Sequence, residues 1–253
     1  MHSTLGVEEV LIALGGGLIA GSINTLAGNG SAITLPILMW VLGLPPHLAN
    51  GTNRVGILIQ TSLSYLVFRR HKMIRTEDYP LFIYPALVGA LIGVVIAVYI
   101  PAEAFVRVFG LLMLLLMAVI AFRSSMRAWS APKRVSADKL KLYSFILGIY
   151  GGFIQMGMGI FFLLLLMGLT RRNIIEANAV KVTAVAVYTA VILIIFVAYG
   201  MVDWPMGLLM AVGQGMGGYW TARWATRHRA ASTWAFRILI LSMGLSAWKA
   251  LTG

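Results

Sequence analysis

The stretch from Lys141 to Arg172, KLYSFILGIYGGFIQMGMGIFFLLLLMGLTRR, is apolar between basic ends and broken by glycines near its middle. Basic segments of membrane proteins stay on the cytoplasmic side, so both ends are predicted there. The roughly 29 residues between Lys141 and Arg171 are too many for one crossing, which needs about 20, and too few for two. They predict a re-entrant helical hairpin whose tip, Gly151–Gly159, lies near the middle of the bilayer, buried in protein or lining a wet cavity.

The composition of the whole chain predicts a membrane protein. Of its 253 residues, 60% are hydrophobic and 11% are charged, whereas a soluble domain carries about 25% charged residues. No Asp, Glu, Lys or Arg occurs from Val10 to Asn53. The net charge of +12 comes from basic residues between apolar stretches, which indicates membrane topology and contact with anionic lipids, not nucleic acid. The absence of Cys excludes disulfides and thiolate chemistry, and the N-terminus lacks the basic region of a signal peptide.

The positions of the basic residues predict which loops face the cytoplasm. Fifteen of the 20 Lys and Arg residues fall in four segments between apolar stretches, around residues 69–75, 123–141, 171–172 and 223–229. The connections at 100–103 and 200–204 contain none. The four basic segments are therefore predicted inside, and the two other connections and the C-terminus on the periplasmic side.

The first half of the chain carries the same pattern as the second. Glycines interrupt an apolar stretch at Gly15–Gly17 and Gly28–Ser31, and Asn50 opens a span that contains Arg54, as Asn178 opens one that contains Lys181. Three spans follow in each half, but the first loop between them is inside in one half and outside in the other. The predicted fold is thus all-α and polytopic, with two inverted repeats, which is typical of secondary transporters. Charge alone also permits residues 7–43 to cross the membrane once.

The predicted boundaries follow from these segments. The first repeat is 1–126, with a broken helix at 7–43 and spans at 48–68, 81–100 and 103–123. A cytoplasmic linker follows at 127–141. The second repeat is 142–253, with a broken helix at 142–169 and spans at 174–200, 204–224 and 231–250.

The two Gly-rich tips are candidates for anion binding. Ser31 is expected to cap a short helix from Ala32 to about Leu42, and glycines let the backbone expose its N–H groups. A helix N-terminus aimed at the middle of the membrane offers partial positive charge and unpaired donors. The alternative is that small residues only let helices pack closely, as we expect of Gly89 with Gly93 and of Gly213 with Gly217.

Arg54 and Lys181 are predicted to lie one to two turns inside their spans. A buried cation costs about 2.5–3.5 kcal/mol on insertion scales, so each should face a cavity or a partner. The alternative is snorkelling to the headgroups, which we expect of Arg107 and Arg237. The predicted substrate-binding residues are Asn24, Gly28, Asn29, Gly30, Ser31, Asn50, Asn53, Arg54, Gln155, Gly157, Gly159, Asn178 and Lys181.

The acidic residues give no support to a proton relay, since none of the eight falls in the middle of a span. Asp203 is expected to cap a helix, and Glu176 to lie in the first turn of one. Two buried cations without facing acids indicate an anionic substrate. The chain lacks HExxH, GxSxG and Walker sequences, so no enzyme, cofactor or metal is predicted.

Five stretches resemble the sulfite exporter TauE/SafE family of membrane transport proteins: Ala20–Ser31, Gly43–Gly56, Glu176–Lys181, Gly200–Trp204 and Gly217–Arg223. The resemblance implies a carrier in the bacterial inner membrane for sulfite or small sulfonates, usually an exporter. We therefore expect an alternating-access transporter whose site lies between the two tips, with a small anionic solute and the lipid bilayer as partners. A passive channel, or a carrier for another anion such as a carboxylate, is the alternative. The sequence leaves the coupling ion and the oligomeric state open.

Overall fold

A computed structural model describes residues 6–27, 29–121, 135–170, 172–225 and 231–252. Within these residues the chain is helical and contains no strand. The helices are α1 (Val7–Ala27), α2 (Ser31–Pro36), α3 (Pro46–Arg70), α4 (Tyr84–Tyr99), α5 (Ala102–Ala121), α6 (Ala137–Ile154), α7 (Met158–Leu169), α8 (Ile174–Ala198), α9 (Trp204–Ala225) and α10 (Ala231–Thr252). Wider π-helical turns extend α2 over Ile37–Val41 and precede α4 over Tyr79–Ile83.

Four helical segments of the described chain are long and apolar enough to cross a membrane: Val7–Asn24, Tyr79–Tyr99, Ala102–Val119 and Ile175–Ala198. Two further apolar segments, Ser31–Val41 and Met158–Leu169, are too short to cross. They are the second arms of the two predicted broken helices. The all-helical membrane fold is confirmed. The division at 126 and 142 into two inverted repeats, and the remaining crossings, stay predictions.

The predicted interruption of the first helix at Gly15–Gly17 is wrong, because α1 continues through these residues to Ala27. On α9, a Cβ atom on Gly17 would collide with the carbonyl oxygen of Met210, and one on Gly21 with that of Gln214. These two glycines therefore permit close packing of the two helices. Each Gly costs about 1 kcal/mol in helix propensity, and this packing offsets the cost. The helix ends instead just before the Gly28–Gly30 segment.

The chain forms two compact units, of which the first comprises Met1–Gly56, Pro101–Ile120 and Gly200–Gly253. In this unit α1 packs along α9, and α2 packs on α1 and α10. Its buried apolar side chains come mainly from α2, α5 and α10, among them Leu35, Phe105, Phe109, Met113 and Met243. Trp40, in the turn after α2, makes an edge contact with the ring of Phe109 at 5.8 Å between centroids.

The second unit comprises Ile57–Ile100 and Ala121–Tyr199. Here α4 packs along α6 and α8, and α7 packs on α8. Large buried side chains from α7, α8 and the turn before α4 fill the interior, among them Phe82, Phe162, Tyr188, Ile192 and Phe196. The long helix α3 begins in the first unit and ends in the second.

The main helix pair of each unit uses the same arrangement of glycines. The contact between α1 and α9 is formed by Gly17 and Gly21 of α1 and by Gly213 and Gly217 of α9. In α6 and α4 it is lined by Gly148 and Gly152 and by Gly89 and Gly93. The glycines of α6 lie 131 positions after those of α1, and the glycines of α9 lie 124 positions after those of α4. The expected packing role of Gly89, Gly93, Gly213 and Gly217 is confirmed, and in each unit both packed helices carry two glycines that lie four residues apart.

Candidate functional site

The break between α1 and α2, in the first unit, is held by side chains from its own flanks. The backbone N–H of Gly30 donates to Asn24 Oδ1 at 3.1 Å. Asn29 is 2% exposed, and its Nδ2 lies 3.9 Å from Met243 Sδ on α10. A Cβ on Gly30 would lie 2.9 Å from the carbonyl oxygen of Ala20, so Gly30 has a packing role whether or not it binds a ligand. Gly28 lies outside the described residues.

The predicted capping of α2 by Ser31 is wrong. The N-cap is Gly30, which already has helical angles, and no side-chain hydrogen bond caps the helix. Ser31 is instead the first residue of α2, and its Oγ accepts a hydrogen bond from Asn53 Nδ2 at 3.3 Å. Thr34 Oγ1 donates to Asn53 Oδ1 at 2.5 Å. Asn53 thereby ties α3 to the first turns of α2, a link that a local capping rule does not consider.

Arg54 lies on α3 next to this cluster, and its side chain is completely buried, with 0% exposed. Its Nη2 lies 3.5 Å from Asn50 Oδ1, one turn earlier, as the predicted i, i+4 spacing requires. Asn50 is itself 1% exposed. A snorkelling side chain keeps its charged end at the surface of the protein, so the burial of Arg54 argues against that alternative. The first unit thus holds a cation among buried amide groups.

The second unit contains the other predicted tip, between α6 and α7. The helix continues through Gly151 and Gly152 and ends at Ile154, so the interruption lies at 155–157. Gly157 has φ +71°, in the left-handed region that favours glycine, and is the N-cap of α7. Gln155 is 6% exposed and accepts a hydrogen bond from Thr189 Oγ1 of α8 at 3.3 Å. Gly159 lies inside the first turn of α7.

The remaining predicted residues, Asn178 and Lys181, lie on the first two turns of α8. Both are partly buried. In the described part of the chain, the Lys181 ammonium makes no hydrogen bond and no ion pair, and no hydrogen bond joins Gln155 to Asn178 or to Lys181. Asn173 caps α8 in a capping box with Glu176. Lys181 is thus a partly buried cation without a protein partner among the described residues.

Acidic side chains take structural roles. Asp203 accepts from the N–H of Met206 at 3.0 Å, which confirms it as a cap of α9. Glu176 lies in the first turn of α8, as predicted, and accepts from Arg75 at 2.9 Å. No three His, Cys, Asp or Glu side chains of the described residues are placed to hold a metal ion. The predicted site residues that the structure describes therefore supply cationic and amide groups.

Sequence reasoning missed a buried ion pair in the second unit. Asp78, just before the turn that leads into α4, is 0% exposed. Arg172 donates to both of its carboxylate oxygens, with 3.1 Å from Nη1 to Oδ2. The guanidinium also lies over the ring of Phe82, 5.5 Å from its centroid. Arg172 directly precedes the Asn173 cap, so the pair fixes the start of the helix that carries Asn178 and Lys181.

Comparison with known proteins identifies relatives over most of the chain. The sequence profile of the family described as Sulfite exporter TauE/SafE matches residues 13–247. A probable membrane transporter protein, ORF9, of Sinorhizobium sp is 27% identical over 82% of this chain and 79% of its own. A probable membrane transporter protein of Xylella fastidiosa is 24% identical over 89% of this chain and 88% of its own. The probable membrane transporter protein YfcA of Escherichia coli is 26% identical over 79% of this chain and 74% of its own. No solved structure matches the chain significantly.

Proposed function

Because the chain belongs to the sulfite exporter TauE/SafE family and is a membrane transporter, we propose that it moves a small sulfur-containing anion out of the cell. The proposed substrate is sulfite or a small organosulfonate. The proposed mechanism is alternating access across the bacterial inner membrane. Arg54 of the first unit is the proposed group that neutralises the anion's charge, and Lys181 of the second unit is a separate candidate for this role.

The burial of Arg54 is the observation that carries this proposal. A guanidinium that is 0% exposed in a membrane protein is costly to keep. Its planar fork of donors matches two oxygens of an oxyanion, a geometry that a lysine cannot offer. The buried amide of Asn50 lies one helical turn before Arg54 on α3, and that of Asn53 belongs to the residue directly before it. Together they supply donors without adding negative charge, which favours an anionic solute over a cationic one.

Purified protein in lipid vesicles tests the proposal. We expect the chain to move sulfite, taurine or sulfoacetate, and to exchange labelled substrate faster when the same substrate is present on the far side. Such trans-stimulation requires a carrier, since a passive channel has no empty carrier to return. Flux of a sulfur anion without trans-stimulation would support a passive channel. Transport of acetate and of none of the sulfur anions would show that the substrate is a carboxylate.

The proposed topology places residues 127–141 in the cytoplasm. Ser136, which precedes α6 and is exposed, is suited to labelling because the chain has no Cys of its own. We expect an impermeant thiol reagent to leave Ser136→Cys unlabelled in intact cells and to label it in broken cells. Ala102→Cys, exposed in the connection predicted outside, is the matched control and should be labelled in intact cells. The reverse pattern would overturn the orientation.

A further inference from the structure

Gln214 places a buried amide in the middle of α9. It is the eleventh residue of a helix of 22, so it lies about 15 Å along the helix axis from Trp204. In the predicted crossing at 204–224, this distance is half the thickness of the hydrocarbon core. Its side chain is 5% exposed, and its carboxamide makes no hydrogen bond with any residue that the structure describes. Buried polar groups are almost always hydrogen-bonded, so an amide left open at this depth indicates a missing partner.

Two glycines lie against Gln214, one against its backbone and one against its carboxamide. Gly21 of α1 lies against the backbone of Gln214 so closely that no Cβ would fit. On α3, a Cβ on Gly56 would lie 2.7 Å from Gln214 Nε2. Gly56 therefore leaves the space that the carboxamide occupies.

The amide lies along the polar face of α3 in the first unit. Gly56 follows Asn53 by three residues, and residues at this spacing share a helix face. Asn53 is bonded to Ser31 and Thr34 at the start of α2. The Gln214 carboxamide is thus one helical turn beyond the cluster of buried polar groups that begins at Ser31, on the same side of α3.

We propose that the Gln214 carboxamide is a substrate-binding group that donates an N–H to the transported anion. The assignment rests on the proposed function and adds to it a residue from α9. Neutral amide donors suit this place, because they hold an oxyanion without binding it so tightly that it cannot leave.

An isosteric replacement separates binding from a structural role. Methionine has nearly the same length and volume as glutamine and no N–H donor. If the amide had only a packing role, Gln214→Met would remove a polar group that has no protein partner among the described residues, which is neutral or stabilising, and transport would be unchanged. If the amide binds the anion, thermal stability would still be kept while the apparent KM rises. Loss of one hydrogen bond to a charged ligand corresponds to about a tenfold to hundredfold rise in KM.

The experiment measures uptake of labelled sulfite into vesicles that contain the full chain, together with the thermal midpoint of each purified variant. We expect Gln214→Met to raise the KM for sulfite with little change in maximal rate. Gln214→Glu should abolish uptake, because it replaces the donor with a carboxylate that repels the anion. Gly56→Ala should raise the KM less, since its methyl group displaces the carboxamide without removing it. Gly215→Ala is the matched control, because a Cβ there meets nothing within 4 Å, and it should behave as wild type.

The outcomes separate this assignment from the function on which it rests. Active wild-type protein with an unchanged KM in both Gln214→Met and Gly56→Ala would overturn the assignment alone and make water the partner of the amide. A wild-type chain that moves none of sulfite, taurine and sulfoacetate would overturn the proposed function and this assignment with it. If Gln214→Met does not fold, the comparison of Gly56→Ala with Gly215→Ala decides.

Discussion

Replacing Arg54 with Gln should weaken the affinity for the best transported anion by about tenfold to a hundredfold. The variant removes a charge-assisted hydrogen bond, worth about 1.5–3 kcal/mol, in a place from which water is excluded. Lys181→Gln should also lose affinity if Lys181 binds the anion, because it removes a cation that has no protein partner among the described residues. Arg54→Lys keeps the charge but loses the planar fork, so it should be partly active. Equilibrium binding of the anion to purified protein gives the numbers directly.

Arg107→Gln is the matched control for these variants. Arg107 lies on α5 and is exposed, and we assign it to the headgroup region, so its replacement should leave affinity unchanged. Retained thermal stability of Arg54→Lys guards against a folding defect as the cause of any loss. Equal and mild losses at positions 54, 181 and 107 would mean that Arg54 and Lys181 are not part of the binding site.

Removing one partner of the Asp78–Arg172 pair should destabilise the protein by about 3–5 kcal/mol. Asp78→Asn leaves a guanidinium that is 13% exposed without its counter-ion, and Arg172→Gln leaves a fully buried carboxylate. The double variant, which has neither charge, should recover much of this loss. Thermal unfolding of the four proteins gives the coupling energy between the two side chains as a double-mutant cycle.

A second ion pair of the same unit provides the control for that cycle. Lys141 and Asp138 lie 3.5 Å apart, with 47% and 92% of their side chains exposed. Exposed ion pairs contribute little to the free energy of unfolding, because water and salt screen them. Asp138→Asn should therefore unfold at the same temperature as the wild type. If Asp78→Asn were as harmless as Asp138→Asn, the pair could not be what fixes the start of α8.

The sequence predicts those features that a local pattern determines. A run of apolar residues between basic segments determines a membrane helix, and the break at 155–157 follows from Gly157, which adopts the left-handed conformation. The i, i+4 spacing of Asn50 and Arg54 places them together on any helix. These features need no knowledge of other parts of the chain, which is why they were accessible.

Features that depend on distant residues were mispredicted or missed. Glycines in α1 were expected to break the helix, but contact with α9, nearly 200 residues away, keeps Gly17 and Gly21 helical. Ser31 bonds to Asn53 of the next helix and does not cap its own. Arg172 pairs with Asp78, 94 positions earlier. In each case a contact with a distant segment of the chain decided the role of the residue, and nothing in the neighbouring sequence indicates it.

The pairing of α1 with α9 also has a consequence for biogenesis. About 180 residues separate the end of α1 from the start of its partner, and ribosomes add roughly 5–20 residues per second. For roughly 9–36 seconds the first helix therefore lies in the bilayer while the face with Gly17 and Gly21 is not yet covered by α9. Insertion of α1 cannot complete the first unit, because that step requires residues from about the last fifth of the chain. A nascent chain arrested before Trp204 would keep this face open to lipid and to the proteases that remove unfinished membrane proteins.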